Sequence, residues 1–267
     1  MNIIVCVKLI PDPEAPLKHY FIDDSGRRMQ TVKGIQPVVS PFDENAIEAA
    51  LQLKEAHGGN VTALTVGPGD SQESLKRALR MGADAAVHVE AESASEPAPP
   101  ATAYLLAKAI EKIDNFDLIL CGRQAGDWDQ SQVGCLIAEV LDIPCVNIVK
   151  NIEVIDNGVL RVQRLTEDGY EVLDLPTPSL LTVTNEINLP RLTNVAAVLR
   201  ASKIKIPVWT PEDIGADEAF LTSLEALMHM ERLYIPEVST ECQIMSGETT
   251  EDQAVNLVSI LRDQKVI

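Results

Sequence analysis

Asp117 to Gly134 reads DLILCGRQAGDWDQSQVG. The stretch opens on a short apolar run, Leu118 to Cys121, of the kind a buried strand uses. It breaks at Gly122 into a polar turn and resumes as an apolar-periodic helix from about Ser131. Asp129 lies three residues before Gln132, the spacing of a helix capping box. Strand, glycine turn and helix start, in that order, build the nucleotide sites of open α/β sheets. The strand's carboxyl end leaves a crevice, and free backbone N–H groups at the helix start favour a phosphate.

The chain upstream repeats this alternation. Asn2 to Val7, Val61 to Val66, Ala85 to Val89 and Phe116 to Cys121 are apolar runs with the look of strands covered on both faces. Between them Ser40 caps a helix with Pro41 at its first position and Asp43 completing a capping box, and Gly58 closes it. Gly67-Pro68-Gly69 leads to a second helix, which Asp70 with Glu73 caps at capping-box spacing and which ends at Gly82. A third spans about Ala101 to Lys112. His19 to Val39 reads as a loop with room for one hairpin around the turn at Asp24 to Gly26, and Glu90 to Pro100 as an acidic surface loop. Such alternation predicts βαβ units and a parallel sheet. Right-handed crossovers then bring the turns after Val7, Val66 and Cys121 to one edge.

After Val149 the pattern changes. Turns at Asp156-Asn157-Gly158 and Glu167-Asp168-Gly169, with Leu160, Val162 and Leu165 between them, predict antiparallel strands. Leu180 to Val183 rejoins the main sheet, Asn185 to Thr193 is a loop, and Asn194 begins a short helix. From Pro207 the signals loosen into an amphipathic segment at Glu218 to Arg232 and a last helix opened by Thr249 and Asp252. The predicted fold is α/β: an open, mostly parallel sheet with flanking helices, a small antiparallel excursion and a C-terminal helical arm. Residues 1–187 form the nucleotide-binding domain, 188–206 a recognition loop and helix, and 207–267 an arm that packs on a partner in preference to folding back on its own core.

Composition narrows the function. No apolar run reaches the roughly 18 residues of a membrane span, and the apolar N-terminus lacks a small-residue cleavage site. A cytoplasmic protein is expected, or a matrix protein without its targeting segment. A net charge of −18 repels a phosphate backbone, which disfavours nucleic acid. The five cysteines form no CxxC pair, and four lie in apolar stretches as small core residues, so disulfides and zinc are disfavoured. His19, His57, His88 and His229 are dispersed, and no Walker A loop, nucleophile elbow or GxGxxG is present. Asp127 and Asp129 could pair as acid and base, but capping explains them more simply. What remains is a binding crevice without a reacting group. Gly122 and Gly126 let the backbone approach a ligand closely. Ser131, Gln132 and Val133 offer amides to a phosphate, and Cys6 and Val66 present backbone groups to an adenine edge.

Several ordered motifs then carry a resemblance: IVCVK at the start, SPFDENAIEAA, GPGD with ALRMGAD, GRQAGDWDQSQVG, and VQRLTEDGYEVLDLPTPSLLT from Val162 to Thr182. From Met1 to about Lys205 the chain resembles the β subunit of electron transfer flavoprotein. The resemblance implies a heterodimer with an α subunit that holds most of a redox-active FAD. It also implies AMP in the β pocket or, in flavin-bifurcating members that oxidise NADH, a second FAD. Carried over by position, the cofactor-binding residues are Cys6, Ser40, Phe42, Asp43, Val66, Gly67, Gly122, Arg123, Gln124, Ala125, Gly126, Asp127, Asp129, Ser131, Gln132 and Val133. Phe42 matches an aromatic that approaches the flavin from the partner side, while the family's other aromatic there falls on Pro13.

Arg191, Val195 and Leu199 match the segment that docks on acyl-CoA dehydrogenases. Val195 stands for the family's anchoring leucine, a loss of about one methylene or ~0.8 kcal/mol of burial. Electrons would come from an acyl-CoA or related dehydrogenase and leave to a quinone oxidoreductase or similar acceptor. None of these residues need act as an acid or base, because the cofactor carries the redox chemistry. Gln132-Val133-Gly134 and Phe42-Asp43 look closer to bifurcating members, whereas Trp128 replaces a residue that is commonly small in them. AMP and simple electron carriage are the favoured reading and bifurcation the alternative. A stand-alone adenine-nucleotide sensor comes third, opposed by the C-terminal arm.

Overall fold

The apolar runs pair into one sheet because their side chains alternate between two faces that helices cover. The computed structural model describes all residues except 28, 92–97, 156–157, 229 and 237–241. Along the chain come β1 (Asn2–Cys6), β2 (Leu9–Ile10), β3 (Tyr20–Ile22), β4 (Met29–Thr31), β5 (Val38–Val39) and helix α1 (Pro41–His57). Then follow β6 (Asn60–Gly67), α2 (Gln72–Met81), β7 (Ala85–Glu90), α3 (Pro99–Ile113), β8 (Leu118–Gly122) and α4 (Val133–Leu141). Next are β9 (Cys145–Val154), β10 (Val159–Thr166), β11 (Gly169–Pro176), β12 (Ser179–Val183) and α5 (Val195–Ala201). The series closes with β13 (Val208–Trp209), α6 (Glu218–Glu225) and α7 (Thr250–Asp263).

The main sheet has nine strands in the order β11-β10-β9-β12-β8-β1-β6-β7-β13. Every neighbouring pair from β9 to β13 is parallel, and β10 pairs antiparallel with both β9 and β11. Period-two alternation sorts the two cores. Ile3, Val5, Leu118 and Leu120 face α1 and α2, while Ile4, Cys6, Ile119 and Cys121 face α3 and α4. The parallel register Val5↔Leu120 and Cys6↔Leu64 brings the carboxyl ends of β1, β6 and β8 side by side. The predicted fold class holds, including the antiparallel excursion and the hairpin β3–β4 in the early loop. The expected loop residues 92–97, the turn residues 156–157 and His229 lie outside the described residues.

Local signals fared less evenly. The helix boundaries at Gly58 and Gly82 are as read, with each glycine at positive φ. Three predicted capping boxes do not form, because Ser40, Ser71 and Gln132 stand at the N-caps and none makes a side-chain cap bond. The carboxylate of Asp43 is drawn instead to backbone amides of other segments. The fourth box, Thr249 with Asp252, forms in full at the start of α7.

Of the segment read as an arm from 207, the first part joins the sheet. Val208 and Trp209 pair with His88 and Val89, and Leu221 of α6 packs in the core beside α3, where Phe220 meets Tyr104 edge-on at 5.0 Å. The helix read to Arg232 stops at Glu225. One compact unit runs from Met1 to Leu233, and residues 234–267 form a second, in which no residue of α7 is buried. Among the described residues no helix is long and apolar enough to cross a membrane. Ile119, on the central strand β8, is fully buried. Ile119→Ala is expected to cost about 2–5 kcal/mol, read from the denaturant midpoint at unchanged slope.

Candidate functional site

The carboxyl ends of β1, β6 and β8 form the edge that the sequence singled out, and one buried carboxylate organises it. Asp43, in the first turn of α1, accepts the Lys8 amide at 2.8 Å on Oδ2 and the Gly122 amide at 3.1 Å on Oδ1. It therefore ties the chain after β1 and the end of β8 to the start of α1. Burial pushes its carboxyl up to about 7, against the opposing pull of the two amides and the Lys8 ammonium. Lys8 itself reaches over to Asp127, with Nζ 2.7 Å from Oδ2. Gly122 has to be glycine for space: a Cβ there would lie 2.5 Å from Asp43 Oδ1 and 2.7 Å from Phe42 Cβ.

The turn that follows is fixed residue by residue. The Gly126 amide points to Ser40 Oγ at 3.4 Å, and Ser40 is fully buried. The Arg123 guanidinium lies over the Phe42 ring, 4.9 Å from its centroid. Gln124 is held between Asp129 Oδ1, which its Nε2 meets at 2.7 Å, and the hydroxyl of Ser131, which donates to its Oε1 at 3.4 Å. Asp129 and Ser131 are both left-handed, with φ of +50° and +55°. That conformation turns their side chains back onto Gln124 and away from the helix start where capping was expected. Ala125 accepts the Asp129 amide through its carbonyl. Helix α4 starts at Val133 with Gln132 in N-cap position, so its first amides have no side-chain cap. Trp128, the residue that could have filled the pocket, is 37% exposed.

Cys6 and Val66 end neighbouring strands as expected. The neighbouring Cys6 thiol, together with burial, raises the Cys121 thiol well above its ordinary value. Gly67 is crowded by Ser71 Oγ, and its carbonyl accepts from His88 Nε2 at 2.9 Å, which braces the GPGD turn. Cys135 and Cys145, read as core residues, are exposed. α4 presents Cys135 outward, and Cys145 is the first residue of β9. Among the described residues, no cluster of three or more His, Cys, Asp or Glu side chains could hold a metal ion.

The expected docking residues separate into two kinds. Val195 and Leu199 are exposed on α5, but Arg191 is turned inward. Its guanidinium meets Glu48 at 2.7 and 3.0 Å and Glu55 at 2.5 and 3.1 Å, and its own amide reaches Glu48 at 3.2 Å. Glu48 is buried, so the arginine is its counter-ion and a strap for the loop, not a free docking charge. Asn45 and Asn188 bond each other's backbone carbonyls beside it, at 2.9 and 3.0 Å. The strap leaves Leu189 and Leu192 outside, 89% and 93% exposed. Sequence reasoning missed both, and missed Lys8. The signal for the leucines was available, since two leucines flank the only proline and arginine of a polar loop.

A mostly parallel α/β protein with a close-packed glycine turn at the carboxyl edge of its sheet is what fold and site define. The electron transfer flavoprotein domain family matches residues 33–214. The chain is 34% identical to the electron transfer flavoprotein subunit beta of Clostridium acetobutylicum, with full coverage of both chains. It is 35% identical, again end to end, to the caffeyl-CoA reductase-Etf complex subunit CarD of Acetobacterium woodii. To protein FixA of Azorhizobium caulinodans it is 34% identical over 82% of this chain and 78% of that protein. The chain belongs to the electron transfer flavoprotein family, on the side of its beta subunits.

Two outcomes test this geometry. The Asp43 carboxyl is harder to ionise in the folded protein than in the unfolded chain, so the folded state binds its proton more tightly. Its contribution to stability is full below about pH 4 and is lost as pH rises toward 7. Thermal melts should accordingly show Asp43→Asn gaining on the wild type across that window. Arg191→Ala leaves Glu48 buried without its partner, and is expected to cost about 1–3 kcal/mol in chemical denaturation.

Proposed function

We propose that the chain is the beta subunit of a heterodimeric electron carrier. It pairs with an alpha subunit, and FAD is held at the heterodimer. Electrons enter from an acyl-CoA or related dehydrogenase and leave to a quinone oxidoreductase or similar acceptor, while AMP sits against the turn 122–133 as a structural nucleotide. FAD supplies the redox chemistry, and this chain's residues bind, orient and dock.

One observation carries the reading. In a chain that aligns end to end with beta subunits, three parallel strand ends meet a turn whose helix, α4, offers uncapped amides suited to a phosphate. The residues present fit an adenine nucleotide. Gly122 and Gly126 keep the wall thin, Asp43 and Ser40 hold it from behind, and Cys6 and Val66 border it. Acid–base work is unsupported, since both oxygens of Asp43 are taken by backbone amides and Asp127 is tied to Lys8. Docking is assigned to the apolar rim of Leu189, Leu192, Val195 and Leu199, a different surface from the nucleotide turn.

A second reading, a flavin-bifurcating component with a second FAD in place of AMP, is favoured by Trp128. Its partial exposure leaves room that an inward tryptophan would take. Co-production with an alpha subunit, followed by flavin absorbance and mass spectrometry of released nucleotides, separates the two. One FAD and one AMP per heterodimer is the expected result. Two FAD and no AMP replaces it with the second reading, and a complex holding neither species overturns both.

A further inference from the structure

We infer that Asp43 is a proton-operated latch that positions the turn 122–127: as a carboxylate it holds the Lys8 and Gly122 amides together, and on protonation it lets one of them go. The argument is one of donor and acceptor counting. An ionised carboxylate offers acceptors on both oxygens, and here each oxygen faces one backbone N–H. Once protonated, one oxygen becomes a hydroxyl, a weaker acceptor than a carboxylate oxygen and with a proton of its own to place, so the amide facing it is held less firmly. Asp43 is buried, so little solvent reaches it to replace the weakened bond, and the amide that loses its acceptor carries a cost in that setting.

Asp43 is placed to feel the proton near neutrality. It lies beside two charges of opposite sign, the Lys8 ammonium from the end of β1 and the Asp127 carboxylate from the turn, which are bound to one another. On β8 the Cys121 thiol stands close by, itself held protonated. Along α1, Glu44 and Glu48 are committed to Arg77 and Arg191. Among the described residues no arginine or lysine side chain is bonded directly to Asp43, and burial pushes its carboxyl up to about 7. Gly122 begins the nucleotide wall and Lys8 holds its middle through Asp127, so releasing either loosens the same turn. The inference rests on the reading of 122–133 as that wall, and predicts that the nucleotide is held more weakly at pH 6 than at pH 8.

The test uses the purified heterodimer. Hydrogen exchange at the Lys8 and Gly122 amides, corrected for intrinsic rates, is measured at pH 6 and pH 8, and AMP is titrated by calorimetry at both. A group ionising near 7 changes its charged fraction by about tenfold over that span. One of the two amides should therefore lose about tenfold in protection at pH 6. AMP affinity should fall with it, by more than in Asp43→Asn, whose amide supplies one acceptor at every pH. The titration of AMP's own phosphate is common to both proteins and cancels in that comparison. Unchanged protection of both amides in the wild type overturns the latch, whether or not the variant folds, as does a variant with the wild-type pH profile. If AMP binds at neither pH, the nucleotide reading of the pocket fails instead, and the exchange measurement still decides the latch.

Discussion

A carboxylate buried at the start of α1 joins three pieces of chain that are far apart in sequence: Asp43 bonds the amide of Lys8, 35 residues before it, and that of Gly122, 79 residues after it. The strand ends of a parallel sheet would otherwise finish in unpaired backbone groups, because each turn leaves the ladder at a different height. Asp43 absorbs two of these groups at once, and the glycine at 122 exists to let its oxygen in. Much of the edge depends on this contact. Lys8 is positioned to reach Asp127, Ser40 is left free to meet Gly126, and Phe42 is turned to lie under Arg123. The cost is a charge in a place that resists it.

The architecture was legible because it rests on periodicity. Runs such as Ile3 to Val7 and Leu118 to Cys121 announce strands with two covered faces, and glycine at 58 and 82 marks helix ends that need positive φ. The site was legible in place but not in wiring. Asp43 and Asp129 stand at capping spacing, and spacing cannot tell whether a carboxylate serves its own helix or a distant amide. Burial decides that: Asp43 is inside and finds two amides of other segments, while the left-handed turns at Asp129 and Ser131 point elsewhere. Arg191 misled for the same reason, since its partner Glu48 lies 143 residues away and nothing local betrays it. The strand at Val208 is two residues long, too short for any period to register.

The chain's charge takes on a different meaning with the pairs in view. Of the acidic residues near the site, Glu44, Glu48 and Asp127 each have a basic partner, so the surface at this edge is more balanced than a net charge of −18 implies. The nucleotide proposed for this edge would meet a wall of backbone dipoles and matched pairs, not a bare acidic face.

The strap from Arg191 to Glu48 and Glu55 has an entropic side. Five hydrogen bonds from one residue hold the segment that displays Leu189 and Leu192. A loose loop would surrender about 0.5–1.5 kcal/mol per side chain immobilised when a partner covered it. Here the backbone between the two leucines is already tied down through Arg191. A surface that seated on those leucines would have their side chains to order but less of the backbone between them, which lowers the cost of landing in one place.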